Sequence, residues 1–536
     1  MAAAVASGLC CLTLFCLTLF PLTAVHAEAR RALVIGIDDY EHENLLPDLR
    51  GAVNDARDLT ETFIGLNFTR VETLLDRKAT RARILAAWDE LLAQSRPGDT
   101  LLVTYAGHGM QAPARLPDSE SDGKDEFLPL ATFDDRGPTR TELILDDEIA
   151  QWADRAAAKD VRMVLVVDAC HSGTTFRAVD RRVRAITYRT GGEVLTDDLF
   201  GDFDLDSVTD SETEIPPNLL SFGAAIDEQK VPEVLLADNQ GNAAPRGAMS
   251  FYFSRGLRGA ADDDGNGSVT FAEMRDYLTR NIRQASNGAQ TPNILAARDD
   301  TVLMRSASTR PPPLADRPLR LSVLNWNDDL PPLDGAELVF PGDPADLIWD
   351  SASREVIAGT DTVVAHNISA GRLQGVIDRH RAAQRLAALA EQRTLSVVVA
   401  PDRPRHRTGQ ALSLSVKDTG YPYRVVFAID PDGRTALLYP ITADEARPAP
   451  PDAPLSFDGI EVGGPIYGAD LVVALAAEAP PTILIEALQK ADEESMQTGR
   501  ATAQDAVAAV GSGMRGNAYR LGTAAVYTCE EGTEGC

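Results

Sequence analysis

The apolar positions of this chain fall first into short, unbroken runs. Ala32-Leu33-Val34-Ile35-Gly36-Ile37 has no polar interruption, as expected of a strand buried on both faces of a parallel sheet. Residues 51–66 then carry a helical period. Val71–Leu75 reads as a second strand and 79–94 as a second helix. Thr100–Tyr105 is a third run, ending in Ala106-Gly107-His108-Gly109. Asp146–Asp154 opens another helix, and Arg162–Val167 is a fourth run, ending in Asp168-Ala169-Cys170-His171-Ser172-Gly173. Strands alternating with helices predict an α/β fold, a mostly parallel sheet with helices on both faces. Functional groups in such sheets gather at the carboxyl ends of strands, where both of these segments lie.

The pattern lapses over residues 177–216, which open with Arg177, Arg181, Arg182, Arg184 and Arg189, turn acidic, and predict a long exposed loop. It returns with Leu219–Ala225 as a strand and Ala248–Leu257 as a helix. Around 307–318 the chain is rich in Ser, Thr and Pro, so residues 306–345 read as a linker region. Beyond it the texture turns β-like. Leu395–Val399, Tyr423–Ile429 and Thr435–Tyr439 predict strands, and Asp430-Pro431-Asp432-Gly433 a turn. The division is an α/β unit over 30–305 and a β-rich region over 346–536.

Charge narrows the partners. Asp and Glu number 80 against 51 Lys and Arg among 536 residues, a formal charge of −29. Such a surface repels phosphate backbones and anionic lipid, which argues against nucleic acid and favours a basic substrate or a divalent cation. Gly8–Val25 is nearly all apolar, and Val25-His26-Ala27 offers a small-residue cleavage site, so residues 1–27 read as a signal peptide. The implied location is the periplasm or the exterior. The n-region lacks Lys and Arg, which leaves an uncleaved anchor as the alternative. No later stretch is long and apolar enough to span a membrane.

Removing residues 1–27 leaves Cys170, Cys529 and Cys536 of the six cysteines. The last two are near neighbours that an oxidising compartment could pair. Cys170 is then a lone thiol. The histidines of its region are His42, His108 and His171, and a thiol nucleophile needs one of them as base. His171 is adjacent to Cys170 and projects elsewhere. His108, between two glycines at another strand end, faces Cys170 if the third and fourth strands are neighbours. A structural role for both residues remains the alternative on these grounds alone.

Tyr105-Ala106-Gly107-His108-Gly109 and Asp168-Ala169-Cys170-His171-Ser172-Gly173, roughly sixty residues apart, resemble the two active-site motifs of metacaspases and bacterial caspase-like peptidases. The resemblance covers residues 30–305 and implies a caspase-haemoglobinase-like α/β fold and a cysteine endopeptidase. It assigns Cys170 as nucleophile, His108 as the proton-transfer group, and the amides of Gly109 and Cys170 as the oxyanion hole. Gly51-Ala52-Val53-Asn54-Asp55-Ala56 resembles the metacaspase segment that supplies one pocket aspartate. Asp55 and Asp168 would then hold the Arg or Lys of a protein or peptide substrate before the scissile bond. Ala52 and Ala106 depart from the family's usual residues. An enzyme of that preference could cut itself near Arg182, Arg184 or Arg189.

Residues 262–273 match the EF-hand loop of Ca²⁺ sites. Asp262, Asp264 and Asn266 take positions one, three and five, Gly267 six, Ser268 seven through its carbonyl, Thr270 nine and Glu273 twelve. Phe271–Leu278 follows as a helix. A second Ca²⁺ site, implied by the metacaspase resemblance, would draw on Asp125, Asp146 and Asp147, but Arg177 stands where a further ligand would fall. Residues 390–480 resemble an uncharacterised β-rich domain appended to bacterial caspase-like proteins, for which a protein-binding role is the expectation. Two other readings stay open: a catalytically silent calcium-binding scaffold of this fold, and a peptidase with non-basic specificity.

Overall fold

The computed structural model describes residues 28–113, 124–169, 185–187, 217–225, 231–237, 242–288, 290–305, 317–326, 330–358, 362–401, 403, 405–417, 419–451, 453–461 and 466–529. From the N-terminus the elements are β1 (Arg30–Gly36), α1 (Ala52–Gly65), β2 (Arg70–Leu75), α2 (Arg81–Gln94), β3 (Thr100–Ala106), β4 (Gly109–Pro113), β5 (Lys124–Pro129), β6 (Leu143–Leu145), α3 (Asp146–Ala157), β7 (Arg162–Asp168) and β8 (Ala185–Thr187). There follow β9 (Leu219–Gly223), β10 (Glu233–Ala237), β11 (Ala243–Gly247), α4 (Ala248–Arg255), β12 (Ser268–Thr270), α5 (Phe271–Ala285), β13 (Asn293–Ala296) and β14 (Val302–Arg305).

The central sheet has the order β13-β9-β7-β3-β1-β2. All its pairings are parallel except that of β13 with β9. Every residue of β3 is buried, and β1 is buried from Arg31 or Ala32 onward, because helices cover both faces. One face packs on α2 and α3 through Ile84, Leu91 and the stacked rings of Trp88 and Trp152, 5.0 Å apart. The other packs on α1, α4 and α5 through Leu59, Phe63, Phe253, Met274 and Leu278. This is the expected α/β architecture, a mostly parallel sheet with helices on both faces. Sequence reading omitted the side sheet β6-β5-β4-β8 and the β10–β11 hairpin. Their strands are short, and β4, β5, β10 and β11 carry Pro, Lys or Glu, which blurs the alternation of apolar residues.

The C-terminal half contains β15 (Leu319–Leu324), β16 (Ala336–Val339), β17 (Leu347–Asp350), β18 (Glu355–Ala358), β19 (Thr362–Ala365) and α6 (Leu373–Gln392). Beyond these lie β20 (Ser396–Ala400), β21 (His406–Arg407), β22 (Ala411–Lys417), β23 (Tyr423–Ile429), β24 (Thr435–Tyr439), β25 (Leu455–Glu461), β26 (Ala469–Ala477), α7 (Thr482–Thr498), α8 (Ala503–Gly513) and β27 (Tyr519–Cys529). One sheet has the order β16-β15-β17-β18-β19. Two more, β20-β22-β25 and β21-β27-β26-β23-β24, face each other around Leu414, Val416, Val426, Ala474 and Ala476. The outer face of the five-stranded one is covered by α6, α7 and α8 through Leu386, Leu488 and Val510.

The region is β-rich, yet it holds three helices that the strand signal masked. Leu373, Val376, Ile377 and Leu386 of α6 are fully buried at helical spacing. The span read as linker, 306–345, holds β15 and β16, because Leu319 and Leu321 alternate inward soon after the prolines end. The two halves meet at buried polar contacts. Arg255 of α4 forms an ion pair with Glu391 of α6, each about 5% exposed, and Tyr277 Oη donates to the same carboxylate at 2.8 Å.

Candidate active site

β3 and β7 are adjacent parallel strands, and their register sets Ala106 opposite Asp168. The histidine and cysteine motifs therefore leave the sheet side by side at its carboxyl edge. Cys170 itself lies outside the described residues, as do Arg177, Arg182, Arg184 and Arg189. Gly109 opens β4, where it pairs with Ala185 of β8.

His108 is fully buried and held at every part of its backbone. Its N–H donates to Tyr40 Oη at 2.9 Å. Its carbonyl accepts from Tyr105 Oη at 2.9 Å, a hydroxyl that also sits 2.8 Å from the Pro129 carbonyl. The Tyr40 ring lies 4.9 Å from the imidazole. On the ring, Nε2 is 2.7 Å from the Pro47 carbonyl oxygen. A carbonyl can only accept, so Nε2 carries the hydrogen and a neutral imidazole has its basic lone pair at Nδ1. The loop carrying Pro47 thus selects one tautomer and fixes the ring plane.

The two aspartates expected to form a pocket are brought together. Asp55 sits in the first turn of α1 and Asp168 at the end of β7, about 1% and 0% exposed. Asp55 Oδ2 accepts from the Gly247 amide and Asp168 Oδ2 from the Ser250 amide, each at 2.8 Å. Both carboxylates therefore rest on the positive, amide-bearing end of α4. Asp55 thus serves the start of a neighbouring helix while standing in the first turn of its own. A Cβ at Gly247 would fall 2.1 Å from Asp168 Oδ2, so only glycine permits this approach. Glu233 of β10 accepts from Gly51 N at 2.7 Å and ties the hairpin to the start of α1.

Gly247, Ser250, Tyr40, Pro47 and Glu233 were not singled out from the sequence, and Tyr105 entered only as part of the histidine motif. Gly247 carries the one usable local signal, a glycine immediately before a helix. The others act through backbone atoms or across long sequence gaps, which a linear pattern does not display.

Residues 262–273 form the expected loop before α5. Asp262, Asp264 and Glu273 can place one carboxylate oxygen each within 4.8 Å of one another. Asp262 Oδ2 accepts from Gly267 N, Asp264 Oδ1 from Asn266 N, and Asn266 Oδ1 from Ser268 N, at 2.8–3.0 Å. Gly265 and Gly267 have φ of 72° and 80°, the left-handed turn such a loop needs. Thr270 caps α5, and Glu273 Oε2 accepts from the Thr270 amide. Asp146 and Asp147 stand in the first turn of α3, and Asp125 lies in β5 with its side chain outside the description. Among the described residues no metal-sized acidic group includes them.

The family model Peptidase_C14, caspase domain, matches residues 29–302. Metacaspase-1 of Eremothecium gossypii is 34% identical over 154 residues, which is 27% of this chain and 32% of that relative. Metacaspase-1 of Saccharomyces cerevisiae and metacaspase-1A of Aspergillus fumigatus are each 34% identical over 155 residues, 27% of this chain and 34% and 35% of theirs. The chain thus spans about a third of the length of these relatives. A solved Geobacter sulfurreducens protein covers 51% of this chain and 99% of its own at 23% identity, with a TM-score of 0.36.

Proposed function

The chain belongs to the caspase-domain family, and on that premise we propose that it is a cysteine endopeptidase cutting after Arg or Lys. The observation that carries this reading is the buried His108, fixed by Pro47 with Nδ1 as its basic nitrogen, at the strand end level with the cysteine motif. Nδ1 takes the proton of the Cys170 thiol, and the thiolate adds to the scissile carbonyl. The imidazolium returns that proton to the leaving amine as the C–N bond breaks. Water, deprotonated by the same nitrogen, then releases the acyl group. The amides of Gly109 and Cys170 are the donors assigned to the oxyanion.

Asp55 and Asp168 supply the preference for a basic residue, as charge-assisted acceptors for a guanidinium or ammonium. Calcium belongs to the loop Asp262–Glu273, with Asp262, Asp264, Asn266, Ser268, Thr270 and Glu273 as its ligands. The donor set of hard oxygens suits that ion. Asp125, Asp146 and Asp147 remain a second site on family grounds alone. Residues 1–27 direct export, and among the described residues no helix is long and apolar enough to cross a membrane. Self-cleavage near Arg182, Arg184 or Arg189 follows from the same specificity.

The experiment is release of fluorophore from arginine- and aspartate-ended peptides, with calcium or chelator, beside Cys170→Ala. Release from the arginine peptide alone, abolished in the variant, is expected. Equal turnover by Cys170→Ala would end the reading, and cleavage of the aspartate peptide instead would overturn its specificity.

A further inference from the structure

The two facing sheets of the C-terminal half enclose a cavity of about 330 Å³. Its walls are apolar, with Leu412 and Leu414 of β22 on one side and Ala428, Leu438 and Val472 of the other sheet opposite. Its polar lining includes Asp430, Asp470 and Asp492 beside Arg434 and the serines Ser413 and Ser495. The antiparallel register pairs Ala428 with Val472 and Ile429 with Leu471, so Asp430 and Asp470 oppose each other on adjoining strands. Two carboxyls so placed resist ionising together unless a cation stands between them.

The protein supplies that cation to one side. Arg434 lies 2.8 Å from Asp430 and 2.9 Å from Asp432. Asp470 makes no ion pair among the described residues, and it accepts one hydrogen bond, from Thr528 Oγ1 at 3.1 Å. Burial also pushes the Asp470 carboxyl up to about 7, against the lowering effect of the Thr528 hydrogen bond and of the Arg379 charge.

We propose that this cavity binds a small amphiphilic organic cation. Its ammonium or guanidinium head is held at Asp470 and Asp430, and its apolar body lies between the sheets. The volume is within the range of small-molecule sites. This site is separate from the peptidase chemistry, and its test does not depend on activity.

The probes are 4-phenylbutylamine and its uncharged counterpart 4-phenylbutanol, titrated calorimetrically into the full-length chain. Loss of one charge-assisted hydrogen bond predicts roughly ten- to a hundredfold weaker binding of the alcohol. Ala428→Phe, which fills the cavity, should abolish amine binding. Asp470→Asn keeps the volume and an acceptor for Thr528, so it should weaken the amine tenfold or more with the melting transition intact. Equal binding of amine and alcohol, no binding of the amine, or undiminished binding to both variants would each overturn the proposal. So would amine binding lost in Asp55→Ala but not in Asp470→Asn, which would place the probe in the peptidase site.

Discussion

His108 Nε2 lies 2.7 Å from the carbonyl oxygen of Pro47, and this one contact decides which ring nitrogen keeps the basic lone pair. The ring can hold that pose only while its backbone is fixed, and Tyr105 Oη fixes it by bridging the His108 and Pro129 carbonyls. Tyr105→Phe leaves the aromatic packing and removes the bridge. We expect kcat to fall about tenfold at unchanged KM, with about 1–3 kcal/mol lost from stability. His108→Ala should cost at least about a hundredfold in kcat/KM. Steady-state kinetics beside thermal melting separates the two effects. A Tyr105→Phe enzyme with unaltered kcat would show that the ring needs no such anchor.

Gly247→Ala puts a methyl group where Asp168 Oδ2 now sits. The carboxylate must move away from the α4 amides, and Asp55, bonded to the Gly247 N–H, shifts with it. The cost should be about 1–3 kcal/mol, as for overpacking elsewhere. Its kinetic mark should be a raised KM for arginine-ended peptides, larger than any change in kcat. A variant that is destabilised but keeps the parent KM would mean that these carboxylates do not bind the substrate's basic side chain.

The parts of this fold that were legible are those in which one residue's neighbours in sequence carry the physics. β3 reads as a strand because all seven of its residues are buried and its polar positions are only the β-branched Thr100 and Thr104. The loop at 262–273 reads because its acceptors and glycines recur at fixed short spacing. The Asp55–Gly247 contact joins residues 192 apart and is made by a backbone amide, so it leaves no pattern. α6 was hidden for another reason. Its Ala- and Arg-rich face mixes with apolar positions that short windows of neighbouring β texture outweigh, although Leu373, Val376 and Ile377 all point inward. Strand order was legible only by analogy with other α/β sheets, and the pairing of β3 with β7 is what gives the two motifs a common edge.

Arg255 and Glu391 form a buried ion pair between the caspase-domain unit and the C-terminal half, with the guanidinium offering Nε and Nη2 to the carboxylate at 3.1–3.2 Å. Removing one partner strands the other charge out of water. Glu391→Ala should destabilise the chain by about 3–5 kcal/mol. The double substitution Arg255→Met with Glu391→Leu should recover most of that, since neither buried charge then remains. Chemical denaturation of the parent, Arg255→Met, Glu391→Leu and the double variant gives the cycle. Additive losses in the double variant would show that the pair does not couple the halves.

Asp470 makes stability depend on pH in an unusual direction. Burial pushes its carboxyl up to about 7, against the lowering effect of the Thr528 hydrogen bond and of Arg379. Asp430 is pushed the same way, to about 8, by burial and by neighbouring Asp432. An unfolded aspartate titrates near about 3.9. Between those values the folded chain holds a proton that the unfolded chain has released. This contribution is therefore present in full below about pH 4 and is lost as pH rises through about 7. Asp470→Asn is neutral throughout. Its melting temperature should gain on the parent between about pH 5 and pH 8, and a difference that stays constant across that range would contradict the raised carboxyl.

The loop before α5 gives a test of calcium that spares the fold. Asp262 and Asp264 each accept backbone amides, from Gly267 and Asn266, and an asparagine oxygen can accept the same bonds. Asp262→Asn with Asp264→Asn therefore removes charge and keeps the turn. In chelator the variant should melt with the parent. With calcium at about a hundred times its dissociation constant, the parent should gain about 2.7 kcal/mol, and the variant should gain almost none. Glu273 is the poorer choice for such a test, because its carboxylate also closes the cap of α5 through Thr270, and its loss would unravel a helix end along with any metal site. A parent that melts alike in calcium and chelator would remove calcium from the function, and a variant that still responds would move the ion to other ligands.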